Sequence, residues 1–355
     1  MSHPAPKFRA AVVQAAPVFL DLEGTIDKSI GMIEEAARNG AALIAFPETF
    51  IPGYPWFVWL GAPIWTMQFI QRYHNNSLVY GSPAAERLAE AARRNKIMVA
   101  MGHSEKHGGS VYIGQWIIDA EGKTIAKRRK LKPTHVERTV FGDGDGSDLT
   151  VFDTPLGRIG ALCCWEHLQP LSKYAMYAQN EQVHIAAWPS FSLYGGQANL
   201  FGPEVNSCAS MMYAVEGGCY VLAPCATVSK DMIEMICDDD AKRAMLPPGG
   251  GIARIYAPDG RLMHDPLPED QEGLIYADID LDMITLAKAV ADPVGHYARP
   301  DVTRLLLNKT PGNRVVATYA PDREMTRKDD FDAPDVIETH DGETRSDLFQ
   351  TRGPV

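Results

Sequence analysis

The chain has 355 residues, of which 45% are hydrophobic and 22% are charged, a composition typical of a globular protein with a sizeable core. Its formal net charge of −11 argues against nucleic acid and against an anionic membrane surface as partners. The six cysteines show no paired spacing, so neither a disulfide framework nor a metal site is predicted. Because no membrane-spanning run and no N-terminal signal pattern are present, we expect a cytoplasmic protein.

Strand-like and helix-like stretches alternate along the chain, which predicts an α/β protein. In chain order, the first half is predicted to form strand 8–14, helix 25–39, strand 43–46, helix 84–95 and strands 97–104, 111–119 and 124–129. The second half is predicted to form strand 158–164, helix 170–180, strand 183–188, helix 203–216, strand 220–223 and the hairpin strands 252–257 and 261–263.

The two ends of the chain differ from its middle. Residues 1–7 are predicted to be an N-terminal extension, and residues 8–309 hold all the predicted elements in one domain. Residues 310–355 are rich in Asp, Glu, Arg, Thr and Pro and have no regular apolar period, which predicts an extended or disordered tail. A solvated end and a contact within an oligomer both remain open for this tail.

A cysteine lies where a predicted buried strand ends and the chain turns into a helix. Cys164 needs only a modest push toward the thiolate to act as a nucleophile at neutral pH. Backbone N–H groups at such a turn can stabilise negative charge on the sulfur and on the reacting atom. Cys163 should face the opposite side of the strand, so at most one of the two reaches a site. A small buried hydrophobe is the alternative for both.

Two further segments place ionisable side chains after strands. Glu48 follows the apolar run 41–45, and Lys130 closes the basic run KRRK. Alternation along a strand turns Lys130 inward when Arg129 faces out. Glu137 follows seven residues later and can pair with Lys130 or with Arg138. Taken singly, these residues could also be a helix cap, a solvated strand edge and a surface ion pair.

Together, a base, a cation and a soft nucleophile predict covalent attack on an electron-poor carbon bonded to nitrogen. The segments AFPETF, KRRKLKPTHVER and GALCCWEH, in this order and at these separations, resemble the Glu-Lys-Cys triad of the nitrilase superfamily, and most closely its nitrilase branch. The resemblance runs from about residue 8 to residue 307 and includes FIPGYPWFVWLGAP, EQVHIAAWPSFSLY and DPVGHYARPDV. It implies an α-β-β-α sandwich with two face-to-face sheets and outer helices.

The resemblance also implies roles for the triad. Cys164 would be the nucleophile, Glu48 the general base and Lys130 the cation that stabilises charge on the substrate nitrogen, with the Trp165 backbone N–H beside it. Glu137 would orient the lysine and assist proton handling. A nitrile would then pass through a thioimidate and a thioester to a carboxylic acid and ammonia, with two waters consumed and no metal or organic cofactor.

Aromatic residues near the triad predict an apolar pocket for an aryl, arylacetic or aliphatic nitrile. The candidate substrate contacts are Tyr54, Trp165, Trp188 and Phe191. Core or interface packing remains open for each aromatic side chain. Glu166 and His167 follow the nucleophile directly and are predicted to support its turn.

Other functions remain open from the sequence. Amidases and cyanide-hydrolysing members of the same superfamily share the triad. The segments KLKPTHVER and CWEH favour organic nitriles over amides and cyanide as substrates. A different class of hypothesis is a non-catalytic protein that keeps the fold and forms filaments. The resemblance further implies a homo-oligomer in which dimers assemble into larger spirals. A serine hydrolase is excluded because the chain has no G-x-S-x-G motif.

Overall fold

The computed structural model describes residues 6–313 and 315. The chain divides into two units, with the boundary between residues 310 and 311. Most of the predicted tail lies outside the described residues, as do residues 1–5 of the predicted N-terminal extension, so both stay predictions. Among the described residues, no helix is long and apolar enough to cross a membrane.

Strands supply the centre of the first unit. In chain order they are β1 (Lys7–Ala15), β2 (Ala41–Ala45), β3 (Met98–His107), β4 (Ser110–Ile118), β5 (Thr124–Arg129), β6 (Phe141–Gly142), β7 (Phe152–Thr154), β8 (Gly157–Cys163), β9 (Val183–Ala187), β10 (Tyr220–Ala223), β11 (Cys225–Ala226), β12 (Arg254–Tyr256) and β13 (Gly273–Asp280). They form two sheets. The larger has the order β11-β1-β2-β3-β4-β5, with β13 beside β1 and β6 beside β4, and the smaller has the order β12-β10-β9-β8-β7.

Helices lie between many of the strands, and several of them connect parallel neighbours. They are α1 (Leu22–Arg38), α2 (Phe57–Leu60), α3 (Pro63–Asn76), α4 (Pro83–Asn95), α5 (Pro170–Tyr177), α6 (Pro203–Gly217), α7 (Lys230–Ile236), α8 (Asp240–Met245) and α9 (Met283–Val290). Short 3₁₀ helices span His135–Thr139, Gly146–Asp148, Cys164–Leu168, Leu193–Gly196 and Asn199–Phe201. The β1–β2 and β2–β3 pairs are parallel, as are β8–β9 and β9–β10, and each crossover between them carries a helix.

Alternation along β1 shows how the layers are built. Ala10 and Val12 lie in an apolar cluster shared with Ile159 and Ile185 of the smaller sheet. The intervening residues of β1 lie in a second cluster with the apolar faces of α1 and α4. Because successive side chains point to opposite faces of a strand, one face of the larger sheet packs on the smaller sheet and the other packs on helices. The predicted α/β sandwich is confirmed.

Local sequence accounts for the helix boundaries. Asp21 caps α1 by accepting a hydrogen bond from the Gly24 N–H, and Ser82 caps α4 by accepting one from the Ala85 N–H. Proline at the first position of α4 fits the same rule. The helix predicted over 170–180 stops at Tyr177, shortly before Asn180 takes a left-handed backbone conformation with φ of 56°.

Several element predictions need correction. The strand predicted over 158–164 ends at Cys163, and Cys164 begins a 3₁₀ helix instead. The strand predicted over 252–257 shortens to β12, and its 261–263 partner is reduced to one bridge between Tyr256 and Leu262. Sequence analysis placed nothing at α3, β13 or α9. Strand β13 pairs with β1 along its whole length, a partnership between distant segments that local patterning does not reveal.

Candidate active site

The predicted reactive residues lie just beyond strands whose ends come together. Glu48 follows β2, Lys130 follows β5 and Cys164 follows β8. The backbone N–H of Glu48 donates to the Trp188 carbonyl at 3.3 Å, which ties the segment after β2 to the end of β9 in the other sheet. Gly102 of β3 permits this path, because a Cβ there would overlap the Pro47 carbonyl. The site therefore lies at one end of the sandwich, between the two sheets.

A buried lysine holds two carboxylates. Lys130 Nζ lies 2.9 Å from Glu48 Oε1 and 2.8 Å from Glu137 Oε2, and all three side chains are almost fully excluded from solvent. Burial works against the ammonium form, yet the carboxylates of Glu137 and Glu48 raise the pKa of Lys130 well above its usual range. Lys130 is therefore a fixed cation.

Glu137 is the better satisfied of the two carboxylates. Besides Lys130, it accepts hydrogen bonds from the Tyr54 hydroxyl at 2.8 Å and from the Thr134 N–H at 2.6 Å. The Thr134 contact closes a capping box at the start of the 3₁₀ helix His135–Thr139. Of the two partners considered from the sequence, Lys130 and Arg138, the structure pairs Glu137 with Lys130.

Glu48 retains a free oxygen. Its Oε1 accepts from Lys130, but Oε2 has no hydrogen-bond partner among residues 6–313 and 315. Burial raises the pKa of this carboxyl to about 8; the charge of Lys130 lowers it, and the charge of Glu137 raises it. A buried carboxylate oxygen without a donor is costly unless something brings a proton to it. Once ionised, near and above pH 8, Glu48 is thus arranged to accept a proton.

The turn after β8 presents one of two adjacent cysteines to a cavity. Cys164 takes φ of 45° and contributes to the wall of a cavity, whereas Cys163 is fully buried with its sulfur 3.8 Å from Arg128 Nη1. Burial, together with the charge of Glu48, raises the pKa of the Cys164 thiol well above its usual value, and a backbone hydrogen bond from Trp165 works in the opposite direction. The Cys164 thiol is therefore neutral at rest, and a base would have to take its proton before the sulfur could act as a nucleophile.

A second buried ion pair lies beside the first. Arg128 binds both oxygens of Glu166, through Nη1 at 3.0 Å and Nη2 at 2.8 Å. The same carboxylate accepts the backbone N–H of Cys163 and of Leu131. Burial opposes its ionisation, but the Arg128 guanidinium and these donors lower the pKa of Glu166. Glu166 thereby joins the residue directly before Cys164 to the residue directly after Lys130.

His167 also contacts the nucleophile turn. Its Nδ1 lies 2.6 Å from the Cys164 carbonyl oxygen, and the ring stacks on the Trp188 ring with centroids 5.2 Å apart. Both residues predicted to support the turn, Glu166 and His167, therefore make hydrogen bonds to its backbone. Of the described residues, no group of three or more His, Cys, Asp or Glu is arranged to hold a metal ion.

An aromatic cavity of ≈ 410 Å³, counted with its open mouth, leads to Cys164. Its lining comprises Tyr54, Trp56, Trp59, Thr134, Glu137, Cys164, Trp165, Pro189, Ser190, Phe191, Leu193, Phe201 and Asn206. Three of the four predicted substrate contacts, Tyr54, Trp165 and Phe191, are in this wall. Tyr54 is held in place, because its hydroxyl donates to Glu137 and accepts from the Trp59 indole N–H at 3.1 Å.

The fourth predicted contact, Trp188, does not line this cavity. Only 2% of it is exposed, and its indole N–H donates to Ser210 Oγ at 2.8 Å. Its ring contacts the rings of His167 and Phe191, with centroids 5.2 Å and 5.5 Å apart. Sequence analysis did not single out Phe201, which stacks on Trp165 with centroids 5.3 Å apart, or Asn206, which accepts the Trp165 indole N–H at 3.0 Å. Phe201 lies in a stretch without an apolar period, and Asn206 lies on the predicted helix without any motif around it.

Comparisons with known proteins identify the family of the chain. A family model described as carbon-nitrogen hydrolase matches residues 9–289. The chain is 62% identical over 308 residues to a nitrilase of Pseudomonas syringae pv. syringae (strain B728a), covering 87% of this chain and 92% of that protein. It is 52% identical over 315 residues to an aliphatic nitrilase of Rhodococcus rhodochrous, covering 88% of this chain and 86% of the relative.

A solved structure supports the fold. The carbon-nitrogen hydrolase from Helicobacter pylori G27 aligns with a TM-score of 0.66 at 16% sequence identity, covering 83% of this chain and 97% of that one. At this identity the likeness concerns the fold alone, and it matches the two-sheet sandwich described above. With a family model spanning most of the described residues and a 62% identical relative, the chain belongs to the carbon-nitrogen hydrolase family.

Proposed function

We propose that this protein is a nitrilase, which hydrolyses an organic nitrile to a carboxylic acid and ammonia. The observation that carries the proposal is the buried cluster of Lys130, Glu48 and Glu137, with one free Glu48 oxygen, beside a cysteine that opens into an aromatic cavity. Two relatives, named nitrilase and aliphatic nitrilase, support the same reaction.

The first step forms a bond between sulfur and the nitrile carbon. Because the Cys164 thiol is neutral at rest, its proton must leave as the sulfur attacks, and Glu48 Oε2 is the unpartnered acceptor. One carbon–nitrogen π bond breaks and negative charge develops on nitrogen. The Lys130 ammonium and the Trp165 N–H stabilise that charge. The proton held by Glu48 then passes to nitrogen, which gives a neutral thioimidate.

The second step exchanges nitrogen for oxygen. Glu48 takes a proton from a water molecule whose oxygen adds to the thioimidate carbon, and a tetrahedral intermediate forms. Glu48 passes that proton to the nitrogen and then carries the hydroxyl proton to it as well, so the carbon–nitrogen bond breaks, ammonia leaves and a carbonyl group forms. A thioester of Cys164 remains. If the intermediate expelled the thiolate instead, the product would be the amide.

The third step releases the acid. A second water attacks the thioester carbon while Glu48 removes its proton, and the carbon–sulfur bond breaks. The departing sulfur recovers a proton from Glu48, so the resting thiol and carboxylate are restored. The balance is one nitrile and two waters converted to one carboxylic acid and one ammonia.

The cavity favours an apolar substituent on the nitrile. Its side walls are aromatic, and the Trp59 ring packs edge-on against Phe201 with centroids 5.3 Å apart. Such walls bind aryl, arylacetic or aliphatic groups by burying apolar surface and by ring contacts. Relatives named aliphatic nitrilase and arylacetone-specific nitrilase, both 52% identical, support this range of substituents.

We further propose that the protein forms a homo-oligomer of dimers in a reducing, cytoplasmic setting. Exposed apolar side chains on α5 and α6 support association, among them Leu171 at 69%, Met212 at 41% and Val215 at 42% exposure. The six cysteines, all of them free, support a reducing compartment. Light scattering of the full chain at several concentrations tests the assembly: a monomer at all of them would contradict it.

The test of the reaction is ammonia release from a panel of phenylacetonitrile, benzonitrile, an aliphatic dinitrile, cyanide and the matching amides. We expect turnover of organic nitriles, none in Cys164→Ala, and normal turnover in Cys208→Ala, which removes an exposed thiol far from the triad in sequence. Activity confined to amides would indicate an amidase, and activity confined to cyanide a cyanide hydrolase. Inactivity towards the whole panel would favour the filament-forming assembly protein.

A further inference from the structure

A network of buried polar side chains extends from the turn at Cys164 and has no part in the proposed mechanism. Beyond the Cys164 carbonyl and His167 Nδ1, the His167 Nε2 lies 2.9 Å from His184 Nε2. His184 Nδ1 lies 2.7 Å from Glu181 Oε1, and the Tyr213 hydroxyl donates to Glu181 Oε2 at 2.6 Å. These four side chains are at most 1% exposed.

The number of protons in this network follows from its donors and acceptors. A carbonyl oxygen only accepts, so His167 Nδ1 must carry a hydrogen. The contact between His167 and His184 joins two ring nitrogens and needs one hydrogen, and the contact between His184 and Glu181 needs another. Two neutral imidazoles and a carboxylate bring two hydrogens to these three contacts. The unit therefore holds one additional proton.

The local environment assigns that proton to the carboxyl group. Burial raises the pKa of Glu181 to about 8, and burial lowers the pKa of His167 and of His184. A protonated Glu181 donates to His184 Nδ1, whose Nε2–H donates to His167 Nε2, whose Nδ1–H donates to Cys164. Every contact is then satisfied without a charge in the core, the least costly arrangement for buried polar groups.

The end of the network farthest from Cys164 is anchored by packing. The His184 ring stacks on the Tyr213 ring with centroids 3.7 Å apart, so α6 holds the ring of β9 in orientation. Gly160 of β8 leaves room for the carboxyl group, because a Cβ there would overlap Glu181 Oε1. A rigid scaffold thus fixes the position from which the proton is donated.

The end of the network nearest Cys164 lies at a strained point of the backbone. Cys164 is a non-glycine residue with φ of 45°, a conformation that costs of order 1–3 kcal/mol and persists only where surrounding contacts impose it. The His167 hydrogen bond fixes the carbonyl of that residue, while the Trp165 N–H faces its sulfur. Loss of the His167 donor would leave the turn free to relax.

We propose that Glu181 is a positioning residue for the nucleophile. Its hydrogen sets the tautomers of His184 and His167, and through them it holds the Cys164 carbonyl and keeps the sulfur aimed at the substrate carbon. This inference rests on the proposed role of Cys164 as nucleophile.

The test compares two substitutions of similar size. In Glu181→Gln, the amide nitrogen can donate to His184 and the amide oxygen can accept from Tyr213, so all three contacts persist. In Glu181→Met, the donor is lost. We expect Glu181→Gln to keep kcat within about threefold, and Glu181→Met to lower kcat roughly tenfold or more with KM changed less than about twofold. Equal losses in both variants, or full activity in Glu181→Met, would overturn the proposal.

A spectroscopic measurement on the unaltered protein gives an independent answer, even if Glu181→Met fails to fold. Two-bond ¹H–¹⁵N spectra of the full chain labelled in histidine, assigned by single-histidine substitutions, report which ring nitrogens carry hydrogen. We expect Nδ1–H for His167 and Nε2–H for His184, both retained in Glu181→Gln. An Nε2–H tautomer of His167 would contradict the proposal. Ammonia release by the unaltered protein tests the proposed function separately, so the two failures are distinguishable.

Discussion

Two buried ion clusters begin two residues apart in the chain and are completed in opposite ways. Arg128 meets a single carboxylate, Glu166. The Glu166 oxygens accept hydrogen bonds from both terminal guanidinium nitrogens and from two backbone N–H groups. Lys130 meets two carboxylates, Glu48 and Glu137, and one Glu48 oxygen has no partner in the described part of the chain. One cluster is balanced in charge and saturated in hydrogen bonds, and the other is neither.

The difference separates a structural role from a chemical one. A balanced and saturated pair has no capacity to take up a proton, so Arg128 and Glu166 hold the segments that carry Cys164 and Lys130 in place. An unbalanced cluster has a perturbed carboxyl pKa and an open acceptor, the arrangement expected where proton transfer occurs. Removing a member of the first cluster should therefore reduce stability, and removing a member of the second should reduce turnover.

The largest expected effect comes from the two adjacent cysteines. Cys164→Ala removes the atom that bonds to the substrate, so ammonia release should fall to the level without enzyme while oligomer size and unfolding are preserved. Cys163→Ala is the matched control, because its sulfur lies toward Arg128 and outside the cavity. It should keep most activity and lose a little stability. Ammonia release by Cys164→Ala would remove Cys164 from the mechanism.

Exchanging the two cation types tests the comparison directly. Lys130→Arg places a planar guanidinium where a compact ammonium fits between two carboxylates, and we expect kcat to fall by about 10³-fold or more. Arg128→Lys replaces a two-pronged contact with a single point charge, so it should mainly lower stability. Steady-state kinetics and urea unfolding on both variants measure the two effects. Near-normal turnover in Lys130→Arg would contradict the role of the lysine.

Sequence patterns singled out Glu48, Lys130 and Cys164 because each lies at or just beyond a short apolar or β-prone run. The pattern KRRK correctly turned Lys130 inward, and the same alternation turns Arg128 inward as well, a signal that the sequence analysis did not use. Sequence analysis did not foresee that Trp188 lies outside the cavity wall, because a pattern of buried residues does not say which neighbour covers them. It also missed β13, whose partner β1 is more than 250 residues away in the chain.

The saturated cluster offers the next prediction. Glu166→Gln keeps the shape of the side chain but leaves the Arg128 guanidinium buried without a counter-charge, which costs about 3–5 kcal/mol for a broken buried pair. Urea unfolding should show this loss. The double variant Glu166→Gln with Arg128→Met removes the unpaired charge and should recover part of the stability. A single variant as stable as the unaltered protein would show that the pair does not hold the site together.

The smallest expected effect is a displacement of the pH profile. Glu48 must be ionised to accept the thiol proton, and its pKa is about 8, so kcat/KM should rise with pH and level off above that value. The Glu137 charge raises the pKa of Glu48, so Glu137→Gln should move this rising limb to lower pH, by about one unit. The control is Asp278→Asn, which neutralises a surface carboxylate paired with Arg9 and should leave the limb in place. A limb that stayed fixed or moved upward in Glu137→Gln would mean that Glu48 is not the group that titrates. Because the neutralised charge in Glu137→Gln belongs to the unbalanced cluster, the direction of the shift reports on the feature that distinguishes it from the Arg128 pair.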